Sequence, residues 1–279
     1  MIINNKQVPD KIIVNLVFDI KAKKELLGIE DSFVRTELVK IISHSRKAVD
    51  FLSSVKDSEK AKKSGVYKEV IKKTRAVLRK SAGAFVRLDK IKNFERLLLK
   101  HESTRERMEI YPEIYRRIFH IAGTPKSILD LGCGLNPLSY NHLGIKPEYY
   151  ASDIDSKIVG IVNEFFVKNK IKGRAEIINL REIKNRKIKL PKADICFMFK
   201  LLDSIEMEKG HKLAEKLIKA VQCKWIAASF STRTLSGKRM RHPYRGWIEQ
   251  LCRRLGYFYE IIEFENEIFY LICRKCSVQ

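Results

Sequence analysis

The first part of the chain carries apolar residues at the three- and four-residue spacing of amphipathic helices. From about residue 9 to residue 122 this spacing recurs, as in Ile12, Ile13 and Leu16, and no run of glycine or proline interrupts it until the end. Such periodicity is the main signal for a helix with one buried face. The sequence therefore predicts an all-helical N-terminal domain.

The pattern changes after residues 123–125, Gly-Thr-Pro, where short runs rich in strand-forming residues alternate with longer amphipathic stretches. This alternation is typical of a parallel sheet covered by helices. Parallel strands are predicted at residues 127–131, 149–153, 175–179, 194–199 and 225–230. Two later runs predict a C-terminal antiparallel hairpin, at residues 258–264 and 267–273. We therefore predict an α/β fold with two domains, the helical one at residues 1–125 and the sheet at residues 126–279.

The charge balance changes this picture by indicating a polyanionic partner. The chain has 279 residues and a formal net charge of +23, from 56 Lys and Arg against 33 Asp and Glu. Basic residues are concentrated at 56–100, at 181–192 and at 231–248, and the last of these stretches contains no acidic residue. Localised basic surfaces of this kind favour nucleic acid as the partner.

The same sequence disfavours a membrane protein and a metal-binding protein. No stretch has the roughly 20 apolar residues of a membrane helix, and the first ten residues lack an apolar signal core. The six cysteines are scattered through apolar segments, as expected of reduced thiols in the cytoplasm. Cys273 and Cys276 form a single C-x-x-C pair without a second ligand pair, so we predict no metal site and interpret both as thiols.

Candidate chemistry lies at the end of the first predicted strand. Residues 130–134, Asp-Leu-Gly-Cys-Gly, form a turn whose glycines Gly132 and Gly134 allow the backbone to approach a ligand closely. Asp153 ends the second strand 21 residues after Gly132, where a carboxylate can accept both ribose hydroxyls of a nucleoside. NAD-binding and S-adenosylmethionine (SAM)-binding sheets share such an acid. Pro137 in place of a third glycine, together with the C-terminal hairpin, favours the Rossmann-like sheet of SAM-dependent methyltransferases over an NAD fold. A degenerate sheet that binds no cofactor stays open.

The residues alone leave the methyl acceptor open. A pyrimidine C5 acceptor needs a cysteine nucleophile, and neither Cys196 nor Cys223 has the sequence context of one. The Asn/Asp-Pro-Pro-Tyr/Phe motif of exocyclic-amine methylation is absent after the fourth strand, where residues 197–203 read Phe-Met-Phe-Lys-Leu-Leu-Asp. Guanine N7 has a free lone pair and requires neither nucleophile nor base, so it is consistent with this lack of machinery.

Several segments together resemble the aminoglycoside-resistance 16S rRNA (guanine-N7) methyltransferases. The matching segments, in chain order, are HESTRER at 101–107, CGLNPL at 133–138, FKLL at 199–202, SFSTRTL at 229–235 and NEIFY at 266–270. Two departures are Ser231, where the family usually has proline, and the short loop that follows it at 236–240. We expect that loop to touch RNA.

The resemblance implies a role for individual residues. It implies that Arg107 meets the cofactor carboxylate, that Asp153 holds the ribose, and that the adenine lies beside Asn179. The complete implied cofactor set is Arg107, Gly132, Cys133, Gly134, Asn136, Asp153, Asn179 and Leu180. Residues implied to face the target nucleotide are Lys200, Ser229 and Arg233.

The resemblance also implies SAM as the cofactor, and the small-subunit rRNA or the 30S subunit as the partner. Two alternatives stay open. One is methylation of another RNA, such as tRNA or a different rRNA site. The other is a catalytically silent RNA-binding or ribosome-assembly factor that retains the sheet.

Overall fold

The computed structural model describes most of the chain, namely residues 1–55, 58–81, 94–100, 102–185, 188–206, 210–234 and 237–274. His101, Leu235 and Cys276, which belong to the motifs named above, lie outside the described residues. Contacts between residues divide the chain into two compact units, Met1–Arg87 with Ile154–Ser156 and Leu88–Asp153 with Lys157–Gln279.

The first unit is mostly helical. Its elements are β1 (Ile2–Ile3), β2 (Lys6–Gln7), α1 (Asp10–Lys21), a 3₁₀ turn (Lys24–Leu26), α2 (Asp31–Ser43), α3 (Arg46–Ser54), α4 (Ser58–Lys63) and α5 (Gly65–Ser81). The prediction of an all-helical domain is wrong at its start, where β1 and β2 pair antiparallel. Asn4 and Asn5 form the turn with φ of 47° and 62°, and asparagine tolerates this left-handed backbone better than most residues.

Helix α5 has one buried apolar face and one exposed basic face, as its periodic sequence predicts. Its apolar positions, including Tyr67, Val70 and Leu78, are buried in the core of this unit. Lys68 and Lys72, which are four residues apart and therefore on one face of the helix, are exposed. Arg75 donates from Nε to the Ile20 carbonyl at 3.1 Å, so this cation caps the end of α1 instead of facing solvent.

The second unit contains the sheet and the remaining helices. Its elements are α6 (Phe94–Lys100), α7 (Glu102–Arg107), α8 (Tyr111–Ala122), β3 (Ser127–Leu131), a 3₁₀ helix (Asn136–Leu143), β4 (Glu148–Asp153), α9 (Ser156–Lys168), β5 (Gly173–Ile177), a 3₁₀ helix (Leu180–Asn185), β6 (Ile195–Phe199), α10 (Leu202–Ile205), α11 (Lys212–Ala220), β7 (Trp225–Ser231), α12 (Gly246–Leu255), β8 (Phe258–Glu263) and β9 (Glu267–Cys273). Both faces of the sheet are covered, since Phe197 of β6 belongs to one apolar cluster and Met198 to another.

The strand order confirms the predicted fold class. The seven strands run β5-β4-β3-β6-β7-β9-β8, with β3 to β7 parallel and β9 antiparallel to both of its neighbours. This is a Rossmann-like α/β sheet that ends in an antiparallel hairpin. The carboxyl ends of the parallel strands meet at one edge, which is where open α/β sheets bind ligands.

The helices that precede the sheet belong to the second unit by their contacts. Leu97 and Leu98 of α6, with Tyr111 and Tyr115 of α8, are buried in the same apolar cluster as the sheet residue Phe197. The contact division therefore falls earlier than residue 125, where the change of sequence pattern placed the boundary. Helical periodicity is the same whether a helix packs on other helices or on a sheet, so it does not indicate which core receives the helix.

Cys133, Cys196, Cys223 and Cys252 are free and buried, as predicted. Cys273 is disulfide-bonded, so its interpretation as a thiol is wrong. Among the described residues, no helix combines the length and the apolar character that a membrane span requires. Within the same residues, no cluster of His, Cys, Asp or Glu is arranged to hold a metal ion.

Candidate active site

The turn after β3 is fastened to the end of β4. Gly132 and Gly134 have φ of 60° and 50°, a left-handed conformation that side chains disfavour, and a Cβ on Gly132 would collide with Leu201. The Gly134 N–H donates to Asp153 Oδ2 at 2.9 Å, and the Cys133 N–H donates to the Ser152 carbonyl at 2.8 Å. The structure thus brings together Gly134 and Asp153, which the sequence analysis paired as parts of one site.

A buried polar network supports this turn from below. Asn136 Nδ2 donates to Asp130 Oδ2 at 2.9 Å, while Asn136 Oδ1 accepts from the Tyr111 hydroxyl at 3.0 Å. Tyr149 donates to the same Asp130 oxygen at 2.7 Å. Both polar ends of the Asn136 side chain are therefore occupied within the protein. In this arrangement the side chain of Asn136 shapes the loop after β3.

Asp130 is the least satisfied member of the network. Burial raises the pKa of its carboxyl to about 6, although the hydrogen bonds from Asn136 and Tyr149 act in the opposite direction. Its Oδ1 atom is buried and has no hydrogen-bond partner among the described residues. A buried acceptor without a donor costs stability, which a bound donor group would recover.

Asp130 should make stability depend on pH. Its folded-state pKa of about 6 exceeds the ordinary value of 3.8, so the folded state binds this proton more tightly than the unfolded state does. The resulting penalty is absent at acidic pH and reaches about 3 kcal/mol above the folded pKa. We expect the stability of the wild type, relative to Asp130→Asn, to fall between about pH 4 and about pH 7. Urea unfolding of both proteins across this interval measures the difference, and a constant difference would contradict the assignment.

Arg107, the last residue of α7, is bound to a carboxylate that the sequence analysis did not single out. Its Nε and Nη2 atoms donate to Glu267 Oε2 and Oε1 at 2.8 and 2.7 Å, and both side chains are at most 3% exposed. Burial raises the pKa of the Glu267 carboxyl, but the attraction of Arg107 and Lys200 outweighs this effect, so the pKa lies below its usual value. Two sequence signals include Glu267 without giving it a role, namely the NEIFY segment at 266–270 and a charged residue that opens an otherwise apolar strand.

Lys200 and Ser229 converge on the same carboxylate. Lys200 follows β6 with φ of 53°, and its N–H donates to Ser229 Oγ at 3.0 Å. The Ser229 hydroxyl donates to Glu267 Oε1, and Lys200 Nζ pairs with Glu106 and lies 3.9 Å from Glu267 Oε2. Arg107, assigned by resemblance to the cofactor, therefore shares one buried anion with Lys200 and Ser229, which were assigned to the target nucleotide.

The remaining predicted residues follow β5 and β7, which are not neighbours in the sheet. Arg233 donates to the Asn266 side chain and, from Nη1, to the Gly237 carbonyl at 3.1 Å, so it holds its own loop. Asn179 Oδ1 accepts from the Arg181 N–H at 3.2 Å, which caps the 3₁₀ helix after β5. Leu180 is buried beside it. The described contacts do not join Arg233 to the group around Glu267.

Comparison with known proteins identifies the family. The family model described as ribosomal RNA methyltransferase (FmrO) matches residues 62–271. Because this match spans well over half of the chain, the protein belongs to the ribosomal RNA methyltransferase (FmrO) family. The matched region includes the turn after β3, the group around Glu267 and all of the sheet except the last two residues of β9.

Individual relatives agree with this family. A curated relative from Frankia casuarinae, named 16S rRNA (guanine(1405)-N(7))-methyltransferase, is 30% identical over 183 residues. The alignment covers 64% of this chain and 63% of the relative, so the chain spans slightly less than two thirds of that protein's length.

Solved structures of similar proteins support the fold. The 16S rRNA methyltransferase RmtF, crystallised with S-adenosyl-L-homocysteine, superposes with a TM-score of 0.72 at 22% identity, covering 96% of this chain and 100% of its own. The 16S rRNA methylase RmtB superposes with a TM-score of 0.69 at 23% identity, covering 94% of this chain and 98% of its own. At these identities the likeness extends to the fold, which is that of the Rossmann-like methyltransferases.

Proposed function

We propose that this protein transfers a methyl group from SAM to N7 of a guanine in the decoding site of 16S rRNA. The observation that carries the proposal is the glycine turn after β3, fastened to Asp153 at the ligand-binding edge of the sheet. Membership of an rRNA methyltransferase family and the name of the Frankia relative support the RNA target. The 30S subunit in the cytoplasm is then the expected partner, and the resemblance implies aminoglycoside resistance as the outcome.

The residues at this edge fit the proposed cofactor. Asp153 would hold the ribose, and the left-handed backbone at Gly132 and Gly134 makes a sharp turn that lets the main chain approach a ligand. The buried Asp130 Oδ1, which lacks a donor within the described chain, suits the ammonium group of the methionine moiety. Arg107 would hold the carboxylate, and Asn179 with Leu180 would flank the adenine. When bound, SAM supplies an electrophilic methyl group on a sulfonium.

The protein's own contribution to the reaction is positioning. Guanine N7 attacks through a lone pair that is free at neutral pH, so the site has to orient the base and exclude water. Glu267 is unsuited to act as a general base, because its oxygens already accept hydrogen bonds and its pKa is lowered. Burial raises the pKa of the Cys133 and Cys196 thiols well above the ordinary value, which disfavours either of these two thiols as a covalent nucleophile.

Tritiated SAM tests the proposed function directly. The purified protein is incubated with 30S subunits, with naked 16S rRNA and with tRNA, and the labelled RNA is cleaved with aniline after borohydride reduction, which cuts at N7-methylguanosine. Label in the small-subunit RNA with a single cleavage in the decoding site is the expected result. Label confined to tRNA, or located at another rRNA site, would instead favour the alternative RNA methyltransferase. Absence of label in every RNA would reject the proposal.

The exposed lysines of α5 are expected to bind the RNA backbone. Lys68→Glu combined with Lys72→Glu reverses two charges on one exposed helix face, so we expect about ten-fold weaker RNA binding and a shallower dependence on salt. Affinity for S-adenosylhomocysteine should not change. Filter binding at several salt concentrations measures both the affinity for RNA and the dependence of that affinity on salt. Lys216→Glu on α11 is a control that makes the same substitution at another exposed helical lysine. Unchanged RNA binding in the double variant would exclude this face as the RNA-binding surface.

A further inference from the structure

Glu267 has the position of a residue that acts through its neighbours. It is 2% exposed, and it contacts Arg107 across 160 residues of sequence. Its Oε1 atom accepts from Arg107 and Ser229, and its Oε2 atom accepts from Arg107 and faces Lys200. A carboxylate whose oxygens are occupied in this way has little remaining capacity to bind a ligand itself.

Arg107, by contrast, retains hydrogen-bond donors. A guanidinium carries about five N–H donors in a planar fork, and Glu267 takes two of those on Arg107. The Phe199 ring lies under the guanidinium, with 5.0 Å between the Arg107 Cζ atom and the ring centroid. The aromatic ring restrains the plane of the fork and Glu267 restrains its rotation within that plane. The guanidinium is thereby held in one orientation.

Arg107 is connected to the glycine turn through Tyr111, the first residue of α8. Tyr111 contacts Arg107 and donates to Asn136, the residue that shapes the loop after β3. The positive charge of Arg107 also acts on Asp130, whose carboxyl lies below that turn. The oriented guanidinium therefore belongs to the same buried network as the proposed cofactor site.

We propose that Glu267 is a positioning residue that orients the Arg107 guanidinium for the carboxylate of the methyl donor. This inference rests on the proposed function. A positioning residue should affect only ligands that have a carboxylate, whereas a residue that only stabilises the fold should affect all ligands of the site equally.

The test compares two ligands in the full-length protein. One is S-adenosylhomocysteine, and the other is its decarboxylated analogue, which keeps the adenosine, the thioether and the ammonium. We expect Glu267→Gln to weaken S-adenosylhomocysteine about ten-fold or more in isothermal titration, since a misplaced guanidinium loses charge-assisted hydrogen bonds. Affinity for the decarboxylated analogue should remain within about two-fold. An equal loss for both ligands, or no loss for S-adenosylhomocysteine, overturns the proposal.

Two further variants keep the result decisive. Ile268→Val is a control for general loosening of β9, because Ile268 is also buried and is adjacent in sequence. It should not change the ratio of the two affinities. If Glu267→Gln does not fold, Glu267→Asp retains the charge and shortens its reach, and the same selective loss is expected.

A crystal structure of the wild type with S-adenosylhomocysteine provides an independent measurement. Arg107 should keep both hydrogen bonds to Glu267 while its other edge contacts the ligand carboxylate, and release of Arg107 by Glu267 would overturn the inference. If the wild type binds neither ligand, the proposed function fails as well. Binding of S-adenosylhomocysteine without carboxylate selectivity in the variants refutes the inference alone.

Discussion

Asp153→Ala should reduce affinity for S-adenosylhomocysteine by about 100-fold or more. A ribose diol donates two hydrogen bonds to a carboxylate at this position, and hydrogen bonds to a charged group contribute about 1.5–3 kcal/mol each. The variant also removes the acceptor of the Gly134 N–H, so the glycine turn loses its fastening to β4. Isothermal titration with S-adenosylhomocysteine measures the combined effect.

Asp153→Asn separates the contribution of the ribose hydrogen bonds from that of the Gly134 hydrogen bond. An asparagine oxygen can still accept from Gly134, but the negative charge and one acceptor for the ribose are lost. We therefore expect an intermediate affinity, about ten-fold below the wild type. Glu148→Ala is the matched control, because Glu148 is a carboxylate at the opposite end of the same strand. Equal affinity of the wild type and Asp153→Ala would support the silent scaffold over the enzyme.

The sheet was predictable because each of its strands carries a local signal. β3 has the predicted bounds, and the C-terminal hairpin was recognisable from two apolar runs separated by a short turn. The prediction for β5 is two residues too late, at 175–179 instead of Gly173–Ile177. This strand lies at the edge of the sheet and only Ala175 is buried, so no clear alternation marks its ends. Asn179 was included in the strand, yet it caps the following 3₁₀ helix.

The candidate site was predictable only where its residues are close in sequence or follow a strand. Gly132, Gly134 and Asp153 follow from the turn and from the end of a strand, and the structure joins Gly134 to Asp153. Glu267 was not identified, because its partner Arg107 is 160 residues away and no local pattern reports such a contact. The role of Ser229 beneath Glu267 was hidden for the same reason. Long-range buried polar contacts require the fold to be known first.

The buried ion pair is expected to produce the largest change in stability. Arg107→Leu leaves the Glu267 carboxylate buried without its main partner, and breaking such a pair costs about 3–5 kcal/mol. Combining Arg107→Leu with Glu267→Met removes the uncompensated charge, so we expect the double variant to be more stable than Arg107→Leu. Ser229 loses its acceptor in that variant, so recovery to the wild-type level is not expected. Urea unfolding of the wild type, Arg107→Leu, Glu267→Met and the double variant gives the coupling between the two residues.

The pH dependence of Arg107→Leu identifies the cause of its instability. In the wild type the lowered pKa of Glu267 means that the pair stabilises the fold above the ordinary carboxyl pKa and loses this contribution in acid. Without Arg107, burial dominates and the pKa of Glu267 rises, so the variant should gain stability as the pH falls and the carboxyl becomes neutral. The deficit relative to the wild type should therefore be smaller at about pH 5 than at about pH 8. Arg116→Leu breaks a solvent-exposed pair with Glu113 and should remain close to the wild type at both values. A deficit in Arg107→Leu that does not change with pH would indicate lost packing on Phe199 as the cause, because packing does not depend on the charge of Glu267.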